Sequence, residues 1–295
     1  MNKHTYLHFK DKRSFYELGI CLGLVLLWAY GFYKNGLTYV FLGKLSLFSS
    51  LRYIAYPLIS LALFAGYSLF KKQKLSLNMV IEALICSLLI PPQFPLWLFF
   101  FVVGLYVVLK NILIKYMPHF SFLALYASLV FVLTQVCSIT YYNVIEQSIP
   151  FLYGTLDIFM GRGIGNYGTT SIFLLLILYG FSATNFYYKR ELPIYILASY
   201  LVISCLYFLG TGTPISFAFL FNNSLFFGAI VFFLNNSISP VQRKMQILFG
   251  CAIGILSFLF TLSHFPEGAY LAILIVNVCY NLYYYLFFKK HILCK

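Results

Sequence analysis

The chain has 295 residues, 62% hydrophobic and 9% charged, against about 45–50% apolar and about 25% charged in soluble domains. That composition excludes a soluble globular fold. The 20 Lys and Arg outnumber 7 Asp and Glu, but they fall in small groups between apolar runs, the pattern of membrane topology and not of a nucleic-acid footprint.

From the N-terminus, apolar segments fall at approximately 14–33, 51–70, 76–90, 95–114, 120–140, 169–188, 193–209, 215–234, 245–263 and 267–288. Since roughly 20 apolar residues cross a bilayer, the pattern predicts an all-α polytopic membrane protein of about ten transmembrane helices, a single integral-membrane domain over 1–295. The first segment follows Lys10, Lys12 and Arg13 and is too long for a signal-peptide core, so it reads as a retained span. An even number of spans puts both ends on one side. With that side cytoplasmic, only Lys34, Lys44, Arg52 and Arg162 of the 20 basic residues face outward, a positive-inside bias that a shift by one span destroys. The expected protein is therefore multi-pass in the cell membrane, with both termini cytoplasmic and 141–168 as its longest outer loop. That loop joins two halves, 1–140 and 169–295, of five spans each and opposite orientation, as in inverted-repeat transporters. The turns at Pro91-Pro92 and Ser239-Pro240, and those at Pro118 and Pro266, stand at matching places in the two halves.

Within this frame a few residues carry chemistry. Gly161-Arg162-Gly163-Ile164-Gly165-Asn166-Tyr167-Gly168 runs into Thr169-Thr170-Ser171 at the start of the sixth segment. Glycines and helix-start N–H groups suit a phosphate; the same residues also make a tight turn whose Thr and Ser cap a helix. Glu82 lies nine residues before Pro91, about 13 Å along a helix and so near mid-membrane. A carboxylate there demands a proton, a cation or a buried polar partner, and is a candidate for an ion path. Glu17, four residues after Arg13, is explained by a surface pair. The amides of Asn222-Asn223 and Asn235-Asn236 either bond neighbouring helices or line a polar cavity. His119 and His264 stand apart near segment ends, and Tyr283-Tyr284-Tyr285 fits an interfacial aromatic belt. The seven cysteines show no C-x-x-C spacing and sit mostly in apolar runs, so neither a disulfide framework nor a metal cluster is indicated. No nucleophile–base set, P-loop or pair of carboxylates is present.

Several fragments, in order, resemble the RnfD/NqrB family, whose members are integral-membrane components of Rnf electron-transport complexes and of the sodium-translocating NADH:quinone reductase. Pro91-Pro92-x-x-Pro95-x-Trp97 is similar to the family's P-P-x-x-P-x-W. Leu156 to Arg162 followed by Gly168-Thr169-Thr170-Ser171 resembles its loop ending in G-E-T-S. Ser239-Pro240 with Phe249-Gly250, and Phe265-Pro266-Glu267-Gly268 with Asn277, resemble two further family stretches.

The resemblance implies a ten-span core that carries flavin and passes electrons between the membrane and flavin groups on the outer face, coupled in many members to sodium or proton movement. It also implies partners: other membrane and flavin-binding subunits, and a quinone. Flavin would approach Arg162, Gly165, Gly168, Thr169, Thr170 and Ser171, and Asn235 and Asn236 would lie on an ion path; Glu82 joins that path as a candidate on its mid-membrane position alone, since family members usually carry a neutral residue there. The departures point to a divergent member. Family members attach FMN to the Thr of D-x-x-S-G-A-T, where this chain has Thr134-Gln135-Val136-Cys137-Ser138-Ile139-Thr140. Only the last Thr remains, so covalent attachment at Thr140 is not expected. Ser182-Ala183-Thr184 matches in letters but falls at the inner end of the sixth segment. The glutamate of G-E-T-S is Thr169 and the aspartate of T-D-P is Asn235. The expected cofactor is FMN or another flavin held non-covalently, or none. The competing readings are a solute or flavin permease and a non-catalytic scaffold subunit.

Overall fold

The computed structural model describes residues 3–41, 43, 46–117, 119–139, 155–162, 165–185, 188–212, 217–234, 238–263, 265 and 267–286, without the side chains of 3–13, 39, 155, 217 and 218. Among these the regular structure is helical throughout. In chain order the helices are α1 (Lys3–Phe32), α2 (Thr38–Phe41), α3 (Leu47–Ser50), α4 (Arg52–Phe70), α5 (Leu77–Leu88), α6 (Leu96–Leu113), α7 (Phe122–Val136), α8 (Thr155–Met160), α9 (Ile172–Ala183), α10 (Glu191–Thr211), α11 (Phe217–Leu220), α12 (Asn223–Val231), α13 (Arg243–Leu262) and α14 (Gly268–Tyr284).

Five helical stretches are long and apolar enough to cross a membrane: Ser14–Leu37, Leu47–Phe70, Leu96–Leu113, Glu191–Thr211 and Arg243–Leu262. Only 22% to 33% of their apolar windows is buried within the protein. Side chains such as Leu58, Phe101, Leu206 and Leu248 stand outward, which a lipid surround accommodates and water does not. The chain is a multi-pass membrane protein.

The other apolar segments form shorter helices, for local reasons. At 76–90, Ser76 caps α5 by accepting from the Met79 N–H, 3.4 Å, and Pro91-Pro92 stops it. Twelve residues rise about 18 Å, well short of a core about 30 Å thick. At 215–234 the Asn222 side chain takes the N–H groups of Ser224 and Leu225, at 3.1 and 3.2 Å, and so starts a new helix. At 169–188 Ser171 caps α9 through Leu174 N–H, which leaves Thr169 and Thr170 outside the helix.

Two compact units make up the chain, one of residues 1–107 and 132–186, the other of 108–131 and 187–295. In the first, the C-terminal half of α5 is buried from Ala83 to Leu88 and the helix packs against α1 and α4, as a stretch apolar all round must, while Asn78 and Glu82 lie in its more open first half. Gly19 and Gly23, one turn apart on α1, lie against Phe181 and Leu178 of α9, the close helix approach that small residues allow in membranes. Pro57 interrupts the hydrogen-bond ladder of α4; one turn on, Ser60 donates to Ala83 O of α5 at 2.8 Å.

In the second unit α13 packs on α10 and α14, and α12 on α10 and α14. Gly254 of α13 sits so near Ile196 O that a Cβ would lie 2.7 Å from it. The α12 helix is buried from Ser224 to Val231.

Candidate functional site

The stretch after α5 leaves the helix while still inside the protein: Leu89, Ile90, Pro91, Pro92 and Phe94 are buried. Irregular backbone in such a place needs every carbonyl matched. The glycine loop supplies the donors. Gly168 N–H reaches Leu88 O at 3.0 Å and Tyr167 N–H reaches Ile90 O at 2.8 Å, while the Tyr56 hydroxyl donates to Phe94 O. Gly168 has no room for a side chain, since a Cβ would fall 2.0 Å from Leu88 Cδ2. Gly161 turns the chain with φ +98° directly against Ser171, a conformation and a clearance that glycine alone meets.

The predicted residues of this loop therefore divide. Gly168 is spent on α5, Ser171 on the cap of α9, and Thr169 N–H on Asn166 O at 3.3 Å. Arg162 is exposed and pairs with Asp157 at 3.1 Å, a surface contact worth at most about 1 kcal/mol. Gly165 is half-buried, and Thr169, Thr170 and Ser171 are buried. What remains unspent is side chain. Asn166 Nδ2 and Oδ1, the Tyr167 hydroxyl and Thr170 Oγ1 are buried with no hydrogen-bond partner among the described residues. Orphaned buried polar atoms cost about 1–3 kcal/mol each, and four of them fall within the five residues 166–170.

Beside it the Tyr167 ring stacks on Tyr53, centroids 5.2 Å apart. Arg52 donates to the Tyr53 hydroxyl at 3.0 Å and lies 4.9 Å from that ring's centre. Burial, with Tyr53 and Tyr56 nearby, pushes the Tyr167 phenol far above the usual tyrosine range, which keeps it a neutral donor. Asn166, Tyr167 and Arg52 were not singled out by sequence, where Arg52 reads only as an outer charge.

Glu82 is half-buried on α5 and accepts from the Tyr106 hydroxyl at 3.4 Å. Of the alternatives open in sequence, a polar partner is present. Thr140, Asn235 and Asn236 lie outside the described residues. So does His264, whereas the His119 ring meets Tyr284 edge-on. Thr184 ends α9 by donating to Phe181 O at 2.7 Å.

A second irregular stretch follows α12 in the other unit, where Ile238, Ser239 and Pro240 are buried. Its carbonyls are met by side chains. Asn277 Nδ2 reaches Ile238 O at 3.2 Å, Lys189 Nζ reaches Ser239 O at 2.7 Å and Pro240 O at 3.0 Å, and Gln246 Nε2 reaches Pro240 O at 2.9 Å. Asn277, fully buried, also donates to His119 O and accepts from Ser121 N–H at 2.8 Å. Asn277 thus holds two loops together with one amide.

Among families of known proteins, the one described as NQR2, RnfD, RnfE matches residues 116–292, more than half of the chain. The chain belongs to this family. No curated protein matches it. The NQR2, RnfD, RnfE match takes in the glycine loop and the whole interrupted stretch around α12. It begins at Tyr116, after α5, so Glu82 and the Pro91-Pro92 turn stand outside the matched region.

Proposed function

We propose that the chain is the integral-membrane subunit of a flavin-dependent electron-transport complex, passing electrons across the membrane or to its outer face. Membership of the NQR2, RnfD, RnfE family is the observation that carries this reading. The partners are other membrane and flavin-binding subunits, with a quinone as a membrane redox partner. The orphaned atoms of Asn166, Tyr167 and Thr170 would meet the polar edge of a flavin, and the exposed Arg162 guanidinium would exchange its Asp157 partner for the phosphate. Gly165, Gly168, Thr169 and Ser171 shape that loop. A bound flavin supplies one- and two-electron redox chemistry; the chain's share is to bind it, orient it and shield it from water.

In this reading both termini are cytoplasmic, ten segments cross the cell membrane, and 141–168 faces out. The short buried helices α5 and α12, each followed by buried irregular backbone, support an inverted repeat with discontinuous helices at matching positions. An impermeant thiol reagent is expected to label a cysteine introduced beside Glu146 from outside and to spare one at Lys189. The reverse pattern contradicts the topology.

Flavin is expected to leave the denatured protein, because the attachment motif at Thr140 is degraded. In-gel fluorescence decides this: a fluorescent band that Thr140→Ala abolishes would show covalent FMN. Glu82, Asn235 and Asn236 belong to an ion path in this proposal. Glu82→Gln retains an acceptor for the Tyr106 hydroxyl and removes the titratable carboxyl, so electron transfer should continue while ion movement in vesicles falls at least several-fold. Unchanged ion movement removes Glu82 from the path.

The interrupted helices also favour a second reading, a solute or flavin permease, since such helices hold the substrate in transporters. Substrate uptake by vesicles without flavin in the protein would select it.

A further inference from the structure

The carbonyls of Ser239 and Pro240 converge on one nitrogen, Lys189 Nζ, at 2.7 and 3.0 Å. They belong to buried, irregular backbone after a short helix, the kind of stretch whose free carbonyls bind small cations in transporters. The acid closest to Lys189 in sequence is engaged elsewhere: Glu191 holds Arg243 at 3.2 Å and the Tyr195 hydroxyl at 2.7 Å. Lys189 has turned to neutral carbonyls on residues fifty positions away. Half-burial works against its charge and lowers the amine from the usual lysine range. Charge-assisted hydrogen bonds to two carbonyls offset part of that cost.

We propose that Lys189 is a tethered cation: its ammonium fills a carbonyl site after α12 that would otherwise take a small monovalent cation, and so seals this loop without one. The seal is reinforced from two further helices, by Gln246 on Pro240 O and by Asn277 on Ile238 O. Because the test of this proposal reads melting and not electron transfer, its failure and the failure of the functional reading are separable.

The test uses the purified full chain in detergent, melted in choline, sodium, potassium, ammonium or methylammonium chloride at equal ionic strength. The wild-type melting temperature should be the same in all five. Lys189→Met, which keeps the apolar stem, and Lys189→Ala should melt roughly 5 °C lower in choline. Ammonium or methylammonium should restore a large part of that loss in Lys189→Ala, where the vacated space admits them. Restoration by sodium or potassium as well would make it a general monovalent site and equally supports the proposal. Lys189→Met melting like wild type in choline would overturn it, as would a Lys189→Ala loss that no cation reduces. If Lys189→Ala does not fold, its recovery during preparation in ammonium but not in choline supports the proposal, and failure in both overturns it. Sodium-dependent melting of the wild type would also overturn it, since the site would then already be open.

Discussion

Asn277→Leu is expected to destabilise the protein by about 3–5 kcal/mol, with the melting temperature in detergent as the readout. The substitution keeps the branched outline, with methyl groups bulkier than the amide, and removes every polar atom of the side chain. Ser121 N–H then loses its acceptor and Ile238 O its donor, and each orphaned buried group costs about 1–3 kcal/mol. The third partner, His119 O, fares better, because Asn281 Nδ2 also reaches it at 3.3 Å. Asn281→Leu should therefore cost less than half as much, and the double variant more than the sum, since only then is His119 O left bare. An Asn277→Leu protein that melts within a degree of the wild type would mean that these loops are held by something else.

The second large effect is expected at Gly168. A valine there drives two methyl groups into Leu88, whose Cβ and Cγ already stand 2.9 Å from the position of a first Cβ. It also strains the Gly168 N–H to Leu88 O bond that closes α5. Overpacking typically costs about 1–3 kcal/mol, so Gly168→Ala should fall in that range and Gly168→Val above it. Leu88→Ala makes a cavity on its own, yet in the pair with Gly168→Ala it removes the Cγ and Cδ2 contacts and leaves only the Cβ one, so each change relieves part of the other. The measurement is a double-mutant cycle on melting temperature. A pair that is simply additive would refute the contact.

Much of the fold is legible in the sequence because lipid makes composition decisive. Long apolar runs such as 95–114 and 245–263 become α6 and α13 within two residues at either end. The third and eighth runs read equally well as spans, but apolar composition cannot tell a lipid-facing helix from one buried on every side. The deciding features, the Ser76 cap and the Asn222 side chain turned back on Ser224 and Leu225, are local hydrogen bonds with weak signatures. At the glycine loop both sequence alternatives were physical. Helix capping by Ser171 is present, and the N–H groups of Gly168 and Tyr167 go to the last carbonyl of α5 and to Ile90 just after it, partners far along the chain that no local pattern announces. Asn166 and Tyr167 were hidden between the glycines for that reason. Lys189 was legible only as one more inner positive charge, since its partners lie fifty residues on.

The most direct test of the functional account is electron transfer across a sealed bilayer. The protein, purified with its flavin and any partner subunits, is placed in liposomes that trap an impermeant oxidant, and a reduced quinol or dehydrogenase donor is added outside. The account predicts flavin-dependent reduction of the trapped oxidant, lost when flavin is stripped and restored when it is returned, and weakened in Thr170→Val, which removes one of the loop's orphaned hydroxyls. Liposomes in which the oxidant stays oxidised, from protein that is folded and carries no flavin, would contradict it.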